Sequence, residues 1–331
     1  MREVMAFTLG TSETLGSVRY VLVALPLPSS FPLSCPFSWV FNYDGSKNRI
    51  RTIMTKTNKE ATMIKFYSAW FCPYAQRAWL ALEHHEIPFE YIESLLVNKN
   101  QLEGHHGYDK NPRLLELNPK GLVPTLEFPL DIMESCSVEQ KDKLKIVKDV
   151  AVLMESIDCI EFLNSMANKG ADNKQEDLIP DPSFLSNANI LNQHICSAFY
   201  KVLMKPNREE QKEAFVLFAG SLSDFISQVQ EGGYYKSTSP TIVDFTVIPW
   251  ILRLPLLKHY RPMFQLEECM SDDSFEKLTA YVERIRELPA VKKTLWKDEN
   301  AFIEVYRRYA DGTAQSQVGQ AVRSGKNVHD V

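Results

Sequence analysis

The stretch that most constrains the fold is residues 70–77, Trp-Phe-Cys-Pro-Tyr-Ala-Gln-Arg, which follows a short apolar run at 63–67. Beyond it, apolar side chains recur with the i, i+3, i+4, i+7 spacing of one face of a helix. Pro73 suits the first position of that helix, because its missing N–H would have no intrahelical partner there. The pattern therefore predicts a strand-to-helix junction with Cys72 at or beside the N-cap.

Cys72 in this position is a candidate nucleophile. Free N–H groups and the positive end of a helix dipole favour a thiolate, and thiols placed this way can have pKa values of about 3.5–7.5 instead of about 8.5. Arg77 adds positive charge if it faces the same way. The alternative is that Cys72 is a buried small hydrophobic residue, as most free cysteines are. The junction favours a reactive thiol with a depressed pKa.

Composition limits the classes of partner and compartment. The chain has 331 residues, enough for two domains, and a net charge of −5, which argues against a nucleic-acid partner. Its six cysteines show neither CxxC nor zinc spacing, so we expect a reducing compartment, the cytoplasm. The apolar stretch 20–43 contains four prolines and is therefore not a membrane span.

The sequence of residues 1–60 does not predict a folded domain, and we expect a disordered extension. Arg19 followed by the apolar run 21–27 leaves N-terminal organelle targeting open as an alternative. Glu3 and Glu13 argue against it, because transit peptides are poor in acidic residues.

A second strand is predicted at 89–93 from its alternating pattern, and a long loop follows at 94–110. His105 and His106 in this loop lack the spacing of a ligand framework. We therefore expect a solvated loop and no metal site.

Val123–Pro124 is a candidate cis peptide. Asn118–Gly121 is a stop signal, and a proline at the head of the strand 122–126 cannot give a ladder bond there. A cis bond would turn the Val123 N–H and C=O outward, beside the helix of Cys72, where they can pair with an extended peptide. An ordinary trans proline at a strand edge is the alternative.

Several of these motifs together resemble a known family. Residues 72–75, Cys-Pro-Tyr-Ala, resemble the glutaredoxin redox motif with Ala75 in place of the second cysteine, and residues 71–77 resemble the active-site run of omega-class glutathione S-transferases. Residues 118–124 also resemble the glutathione-site pattern of that superfamily, which is Asn-Pro-x-Gly-x-Val-Pro followed by Glu-Ser at the end of a strand. Because no resolving thiol lies three residues on, an external thiol must release Cys72.

The resemblance implies glutathione as co-substrate. It implies that Val123, with Pro124, pairs with the cysteinyl backbone of glutathione and that a Glu-Ser pair holds the γ-glutamyl end. Lys110 is our candidate for the glycine carboxylate, with Lys99 or Lys120 as alternatives.

Two Glu-Ser pairs compete for the γ-glutamyl role. Residues 150–154 form a continuous buried-strand run, which places Glu155 and Ser156 at a strand-to-helix step. Glu134 and Ser135 precede a charged stretch that the family pattern does not require. We assign Glu155 and Ser156, and interpret about 128–148 as an inserted surface segment.

The rest of the chain is predicted to be helical after a polar linker at 168–182. Helices are expected over 183–204, 208–230, 274–287 and 302–309. Thr241 and Asp244 form a capping box, which the transferase fold has in the central helix of its second domain, and Pro249 should kink that helix. The tail, 311–331, resembles the C-termini of fungal omega-like transferases and is expected to be an exposed extension.

The predicted fold is a thioredoxin-like α/β domain over 61–167 followed by an all-helical glutathione transferase C-terminal domain over 183–310. Side chains on the second domain that could border an acceptor pocket are Tyr200, Trp250 and Arg253.

The predicted function is glutathione-dependent thiol transfer or reduction through a mixed disulfide on Cys72, as in deglutathionylation or dehydroascorbate-type reduction. The expected partners are glutathione and small electrophilic or disulfide substrates, without nucleic acid or membrane; a homodimer is left open. One alternative is a conjugating transferase in which Ser68 or Tyr67 activates glutathione. The other is a non-catalytic binding protein, as in the chloride intracellular channel proteins, which share this fold.

Overall fold

The structure is a computed structural model in which the chain separates into two compact units, Met1–Ala61 and Thr62–Val331. It describes residues 63–96, 108–168, 177–295 and 297–326 and, in the first unit, the backbone of the antiparallel strands β1 (Trp39–Asp44) and β2 (Arg49–Met54). Apart from these two strands, the extension predicted over 1–60, with its targeting alternative, lies outside the described residues.

The second unit begins with a five-stranded mixed sheet and a separate two-stranded ribbon. In chain order the strands are β3 (Ile64–Ser68), β4 (Phe89–Glu93), β5 (Leu95–Leu96), β6 (Asp109–Lys110), β7 (Thr125–Pro129), β8 (Lys145–Val147) and β9 (Val150–Leu153). The sheet order is β4-β3-β7-β9-β8, in which β3 and β4 are parallel and the other neighbours antiparallel; β5 pairs with β6.

Helices alternate with these strands. They are α1 (Pro73–His84), α2 (Pro112–Leu117), α3 (Ile132–Ser135), α4 (Val138–Lys143) and α5 (Ser156–Asn168). Phe66 is in register with Leu126, and Leu126 with Leu153, so three buried side chains cross one face of the sheet. Phe66 contacts Trp79 of α1, with 6.3 Å between ring centroids. The predicted thioredoxin-like α/β architecture is confirmed.

The segment interpreted as an insertion over 128–148 differs from the structure at both ends. Phe128 belongs to β7 and packs on Phe162 of α5, with 5.2 Å between centroids, because β7 is buried on both faces as far as Phe128. At the other end, Lys145–Val147 is the edge strand β8. Only the two short helices α3 and α4 lie outside the sheet.

The remainder of the unit is helical. Its helices are α6 (Pro182–Leu191), α7 (Ala198–Met204), α8 (Arg208–Ser227), α9 (Ile242–Ile251), α10 (Leu254–Tyr260), α11 (Asp272–Glu287), α12 (Pro289–Thr294), α13 (Glu299–Ala310) and α14 (Gln317–Arg323). The single helix predicted over 183–204 is interrupted by a π-helical turn, Asn192–Ser197. Such turns widen a helix locally and often lie at functional sites.

The predicted capping box at the start of α9 is confirmed. Thr241 accepts a hydrogen bond from the Asp244 N–H, and Asp244 accepts one from the Thr241 N–H. The buried Asp244 carboxylate also accepts bonds from the Tyr281 hydroxyl at 2.7 Å and the Tyr235 N–H at 3.1 Å. Every residue of α9, including Pro249, is buried.

The tail is not simply an exposed extension. Within it, α14 buries Ala321 and Val322, and Arg323 donates to the Gly312 and Ala314 carbonyls at 3.0 and 2.6 Å. Two small apolar residues on a polar helix are enough to dock it on the domain. Residues 327–331 lie outside the described part of the chain.

Candidate active site

Cys72 occupies the N-cap of α1, with Pro73 as the first helical residue. Its own N–H donates to the Ala69 carbonyl at 2.9 Å, which closes a tight turn between β3 and the helix. The predicted strand-to-helix junction is therefore confirmed. The half-buried Cys72 lines a cleft of about 1460 Å³.

The helical region holds the loop before Cys72 in place. Arg253 donates to the Phe71 carbonyl at 3.0 Å, and the Tyr306 hydroxyl donates to the same oxygen at 3.2 Å. Arg253 also donates to Gln76 of α1 at 2.6 Å. The position of the thiol thus depends on side chains more than 170 residues further along the chain.

The prediction of a depressed pKa for Cys72 is wrong for this geometry. Burial raises the pKa of the thiol above its usual value, although the N–H groups of Ala75 and Tyr74 and the charges of Arg253 and Arg77 act in the opposite direction. Desolvation penalises the anion, and here it outweighs the helix terminus and both arginines. Burial in this geometry therefore disfavours the thiolate form of Cys72.

The Val123–Pro124 bond is cis, as predicted. The Val123 carbonyl accepts a long hydrogen bond from the Cys72 thiol, with 3.9 Å between sulfur and oxygen. The Asn118 side chain donates to the Leu122 carbonyl at 3.2 Å and to the Thr125 hydroxyl at 3.3 Å, which stabilises the turn before the proline. Backbone groups able to pair with an extended peptide therefore lie next to the thiol.

Glu155 and Ser156 lie at the turn between β9 and α5, and both line the cleft. Glu155 is exposed, whereas Ser156 is buried. The competing Glu134 belongs to α3 and is not among the described residues that line the cleft. The predicted strand-to-helix step at Glu155 and Ser156 is confirmed, while their role at the γ-glutamyl end stays a prediction.

Arg77 has a structural role that the sequence did not indicate, beyond its positive charge near Cys72. It is fully buried and donates to the Ser156 hydroxyl oxygen at 3.1 Å, the Asn192 side chain at 2.7 Å and the Thr246 carbonyl at 3.0 Å. Its guanidinium lies 4.4 Å from the centroid of the Trp250 ring. Because Ser156 accepts from Arg77, its own O–H is left to donate into the cleft.

Lys110 and Lys120 both line the cleft on the Val123 side. The Lys110 ammonium donates to the Lys120 carbonyl at 2.7 Å, and burial lowers the pKa of Lys110. Its stem crosses Gly121, whose φ is +61° and where an added Cβ would lie 2.5 Å from Lys110 Cδ. Lys99 and the histidines at 105 and 106 lie outside the described residues.

Two of the three acceptor-pocket candidates do not line this cleft. Tyr200 does, but Trp250 is enclosed between Arg77 and Tyr74, and the Arg253 guanidinium is bonded to backbone and to Gln76. Since α9 is largely apolar and buried on all sides, its sequence pattern does not show which face is directed towards the cleft. The cleft wall is completed by residues that the sequence did not indicate: Tyr108, Tyr306, Tyr309, Gln315, Gln317 and Gln320.

The hydroxyls of the conjugating alternative lie away from the cleft. The Tyr67 hydroxyl donates to Glu127 at 2.7 Å, and its pKa is raised by burial and by that carboxylate. Glu127 is also paired with Arg113 and Lys65, both at 3.2 Å. Ser68 is fully buried, and neither residue is among those lining the cleft.

Comparison with known proteins agrees with this architecture. Residues 71–166 match the family model "Glutathione S-transferase, N-terminal domain". The chain is similar to pyrimidodiazepine synthase of Drosophila melanogaster, 26% identical over 70% of this chain and 80% of the relative, and to mouse glutathione S-transferase omega-1, 25% identical over 63% and 71%. Among solved structures it is similar to glutathione transferase Omega 3C of Trametes versicolor, with a TM-score of 0.57 and 25% identity over 79% of this chain and 97% of that one.

The sheet, the helical region and the cleft between them define the glutathione transferase fold, and the relatives that the chain resembles are glutathione transferases. Within that class, the predicted resemblance to the omega group is confirmed. These relatives support a glutathione-dependent transferase function. Among the described residues, no helix is both long and apolar enough to cross a membrane.

Proposed function

We propose that the chain is a glutathione-dependent thiol transferase that works through a mixed disulfide on Cys72. One observation carries the proposal: Cys72 at the N-cap of α1 lines the same cleft as the Val123 backbone and the Glu155-Ser156 turn. The position three residues after Cys72 is the buried Ala75 and not a second thiol. A disulfide formed on Cys72 must therefore be released by an external thiol.

In the proposed binding mode, the cysteinyl backbone of glutathione pairs with Val123, while the γ-glutamyl end meets Glu155 and Ser156. Glu155 would accept from the α-amino group, and the Ser156 O–H would donate to the α-carboxylate. Lys110 would face the glycine carboxylate as a point charge. The extended tripeptide then directs its sulfur towards Cys72.

The chemical steps follow thiol–disulfide exchange. The Cys72 thiolate attacks the glutathionyl sulfur of a mixed disulfide R–S–S–G; the old S–S bond breaks, and R–S⁻ leaves and takes up a proton. A second glutathione thiolate attacks the Cys72–glutathione disulfide and yields oxidised glutathione and the Cys72 thiolate. Overall, R–S–S–G and one glutathione give R–SH and oxidised glutathione.

A raised pKa slows this chemistry without preventing it. It reduces the thiolate fraction at neutral pH, but intrinsic nucleophilicity increases with pKa, with a Brønsted coefficient of about 0.4–0.5. On a logarithmic scale, roughly half of the rate lost through the smaller thiolate fraction is therefore recovered through the higher reactivity of each thiolate. The arginines beside the site, Arg253 and Arg77, keep the anion accessible by lowering its energy.

The test compares two reactions in the full chain and in Cys72→Ser. With the mixed disulfide of glutathione and cysteine, the parent should show turnover and the variant should lose at least about 10³-fold, because a serine hydroxyl cannot replace the thiol. Conjugation of glutathione to chlorodinitrobenzene should be weak in both. Strong conjugation that survives Cys72→Ser would favour the hydroxyl-activated alternative; glutathione binding without either activity would favour a binding protein.

The described free cysteines, Cys72, Cys136, Cys159, Cys196 and Cys269, fit a reducing compartment. We accordingly propose a cytoplasmic location, testable by fractionation of the tagged full chain. The homodimer remains a prediction.

A further inference from the structure

Of the residues that the structure describes, four lysines line the cleft, and they fall into two pairs. Lys110 and Lys120 are on the Val123 side, whereas Lys143 and Lys145 come from the segment formed by α4 and β8. In the sheet Lys145 lies opposite Val152, near the end of β9 that leads into Glu155. The second pair therefore borders the turn that carries Glu155 and Ser156.

Lys143 anchors this segment to α5. Its ammonium lies 2.9 Å from the Asp158 carboxylate and 2.5 Å from that of Glu161, both on the helix that begins with Ser156. Two carboxylates compensate the charge of Lys143. We therefore assign it a role in positioning the segment, and not in binding a ligand.

Lys145 is different, because its charge is not compensated within the described part of the chain, where it forms no ion pair. Side chains alternate along β8, so Lys145 and Val147 line the cleft while Ile146, 61% exposed, is not among its lining residues. The ammonium group is thus exposed at the edge of the cleft.

The γ-glutamyl end of glutathione is a zwitterion, with an α-ammonium and an α-carboxylate on one carbon. Glu155 can accept from the ammonium, and the Ser156 hydroxyl, together with the N–H groups at the start of α5, can donate to the carboxylate. Arg77 is close to Ser156, but its guanidinium nitrogens are bonded to Thr246, Ser156, Asn192 and Cys196. None of these groups brings a full positive charge to the cleft side of the turn, and Lys145 is placed to supply one.

We propose that Lys145 is a specificity-determining residue that binds the α-carboxylate of the γ-glutamyl group, on a segment held in place by Lys143. This assignment rests on the proposed function, in which the cleft holds glutathione. The assignment makes α4 and β8 part of the glutathione-binding site, whereas the sequence indicated only an inserted surface segment.

The experiment measures binding to the full chain by calorimetry with three probes: glutathione, γ-glutamylcysteine, which lacks the glycine, and cysteinylglycine, which lacks the γ-glutamyl group. In Lys145→Ala the Kd of glutathione and of γ-glutamylcysteine should rise by about five- to tenfold, as expected for a partly exposed charged hydrogen bond. The Kd of cysteinylglycine should stay unchanged. Lys145→Arg, which keeps the charge, should restore most of the affinity.

Two further variants serve as references. Lys141→Ala removes an exposed lysine of α4 that is not among the cleft-lining residues, and should change none of the three affinities. Lys110→Ala should weaken glutathione and cysteinylglycine but not γ-glutamylcysteine. Unchanged binding of all three probes to Lys145→Ala, or equal weakening of all three, would overturn the assignment. If the parent chain binds no glutathione at all, the proposed function itself fails.

Discussion

The Arg77 guanidinium donates a hydrogen bond to the Ser156 hydroxyl oxygen over 3.1 Å, and this contact joins the helix that carries Cys72 to the turn proposed to hold the γ-glutamyl group. The same guanidinium reaches the Thr246 carbonyl of α9 and the Asn192 side chain of the π-helical turn. One buried cation therefore fixes the proposed nucleophile helix, the proposed binding turn and the helical region relative to one another.

Replacing Arg77 by methionine should destabilise the chain by about 3 kcal/mol or more, because several buried acceptors then lose their donor at once. Urea unfolding measures this loss. In the folded fraction, the Kd of glutathione should also rise, because Ser156 loses the contact that orients it. Ser156→Ala serves as the reference: it should weaken glutathione binding with a much smaller change in stability. Unchanged stability of Arg77→Met would contradict the role given to this residue.

The pH dependence of Cys72 reactivity should follow its raised pKa. The folded state holds the proton more tightly than a free thiol does, so alkylation by iodoacetamide should accelerate through and beyond the ordinary titration range of cysteine, about pH 8.5, without a plateau near pH 6. Mass spectrometry of the labelled peptides measures the rate at each site, with the exposed Cys269 as internal reference. Arg253→Met should move the Cys72 profile to still higher pH. A plateau at pH 6 would show that the thiolate predominates after all.

Tyr67→Phe separates the two chemical mechanisms. The Tyr67 hydroxyl is bonded to Glu127 and not directed into the cleft, so its removal should leave glutathione-dependent activity within about twofold. Stability should fall by about 1 kcal/mol, since Glu127 keeps its partners Arg113 and Lys65. Steady-state kinetics and urea unfolding test the two parts. A large loss of kcat would instead implicate this hydroxyl in activating glutathione.

The features that could be predicted from the sequence are those set by neighbouring residues. Cys72 before Pro73 specifies a helix start, and Thr241 with Asp244 specifies a capping box, whatever packs around them. The choice of Glu155 over Glu134 likewise followed from a local strand-to-helix pattern. In each case short-range backbone and hydrogen-bonding rules were sufficient.

The features that the sequence did not give depend on distant packing. The pKa of Cys72 is decided by burial, and the loop that carries it is held by Arg253 and Tyr306 from the far end of the chain. Trp250 lies in a helix that is buried on every side, so no polar face marks which residues reach the cleft. The local sequence predicts where the helix starts, but it does not predict how deeply the cysteine at its N-cap is buried.

Asp244→Ala should destabilise the helical region without touching the cleft. The buried carboxylate accepts bonds from Thr241, Tyr235 and Tyr281, so its removal leaves several donors unsatisfied and should cost about 3 kcal/mol or more in urea unfolding. Tyr281→Phe removes only one of these donors and should cost about 1 kcal/mol. Glutathione affinity of folded Asp244→Ala should match that of the parent. A selective loss of affinity at unchanged stability would assign Asp244 to the site.

The docked tail should control the acceptor side of the cleft and not the glutathione side. Val322, 3% exposed, anchors α14, and residues 315–318, which lead into the first turn of that helix, line the cleft. Val322→Asp would bury a charge at a cost of several kcal/mol, more than a seven-residue helix can offset, so α14 should detach. The KM for a mixed disulfide of glutathione with an aromatic thiol should then rise about three- to tenfold, the size expected for losing part of the pocket that contacts the substrate, while the Kd of glutathione stays within about twofold. Val216→Asp makes the same substitution at an exposed valine of α8 that is not among the cleft-lining residues, and should change neither constant. If glutathione affinity falls together with the acceptor KM, the tail acts through the stability of the whole domain and not as one wall of the cleft.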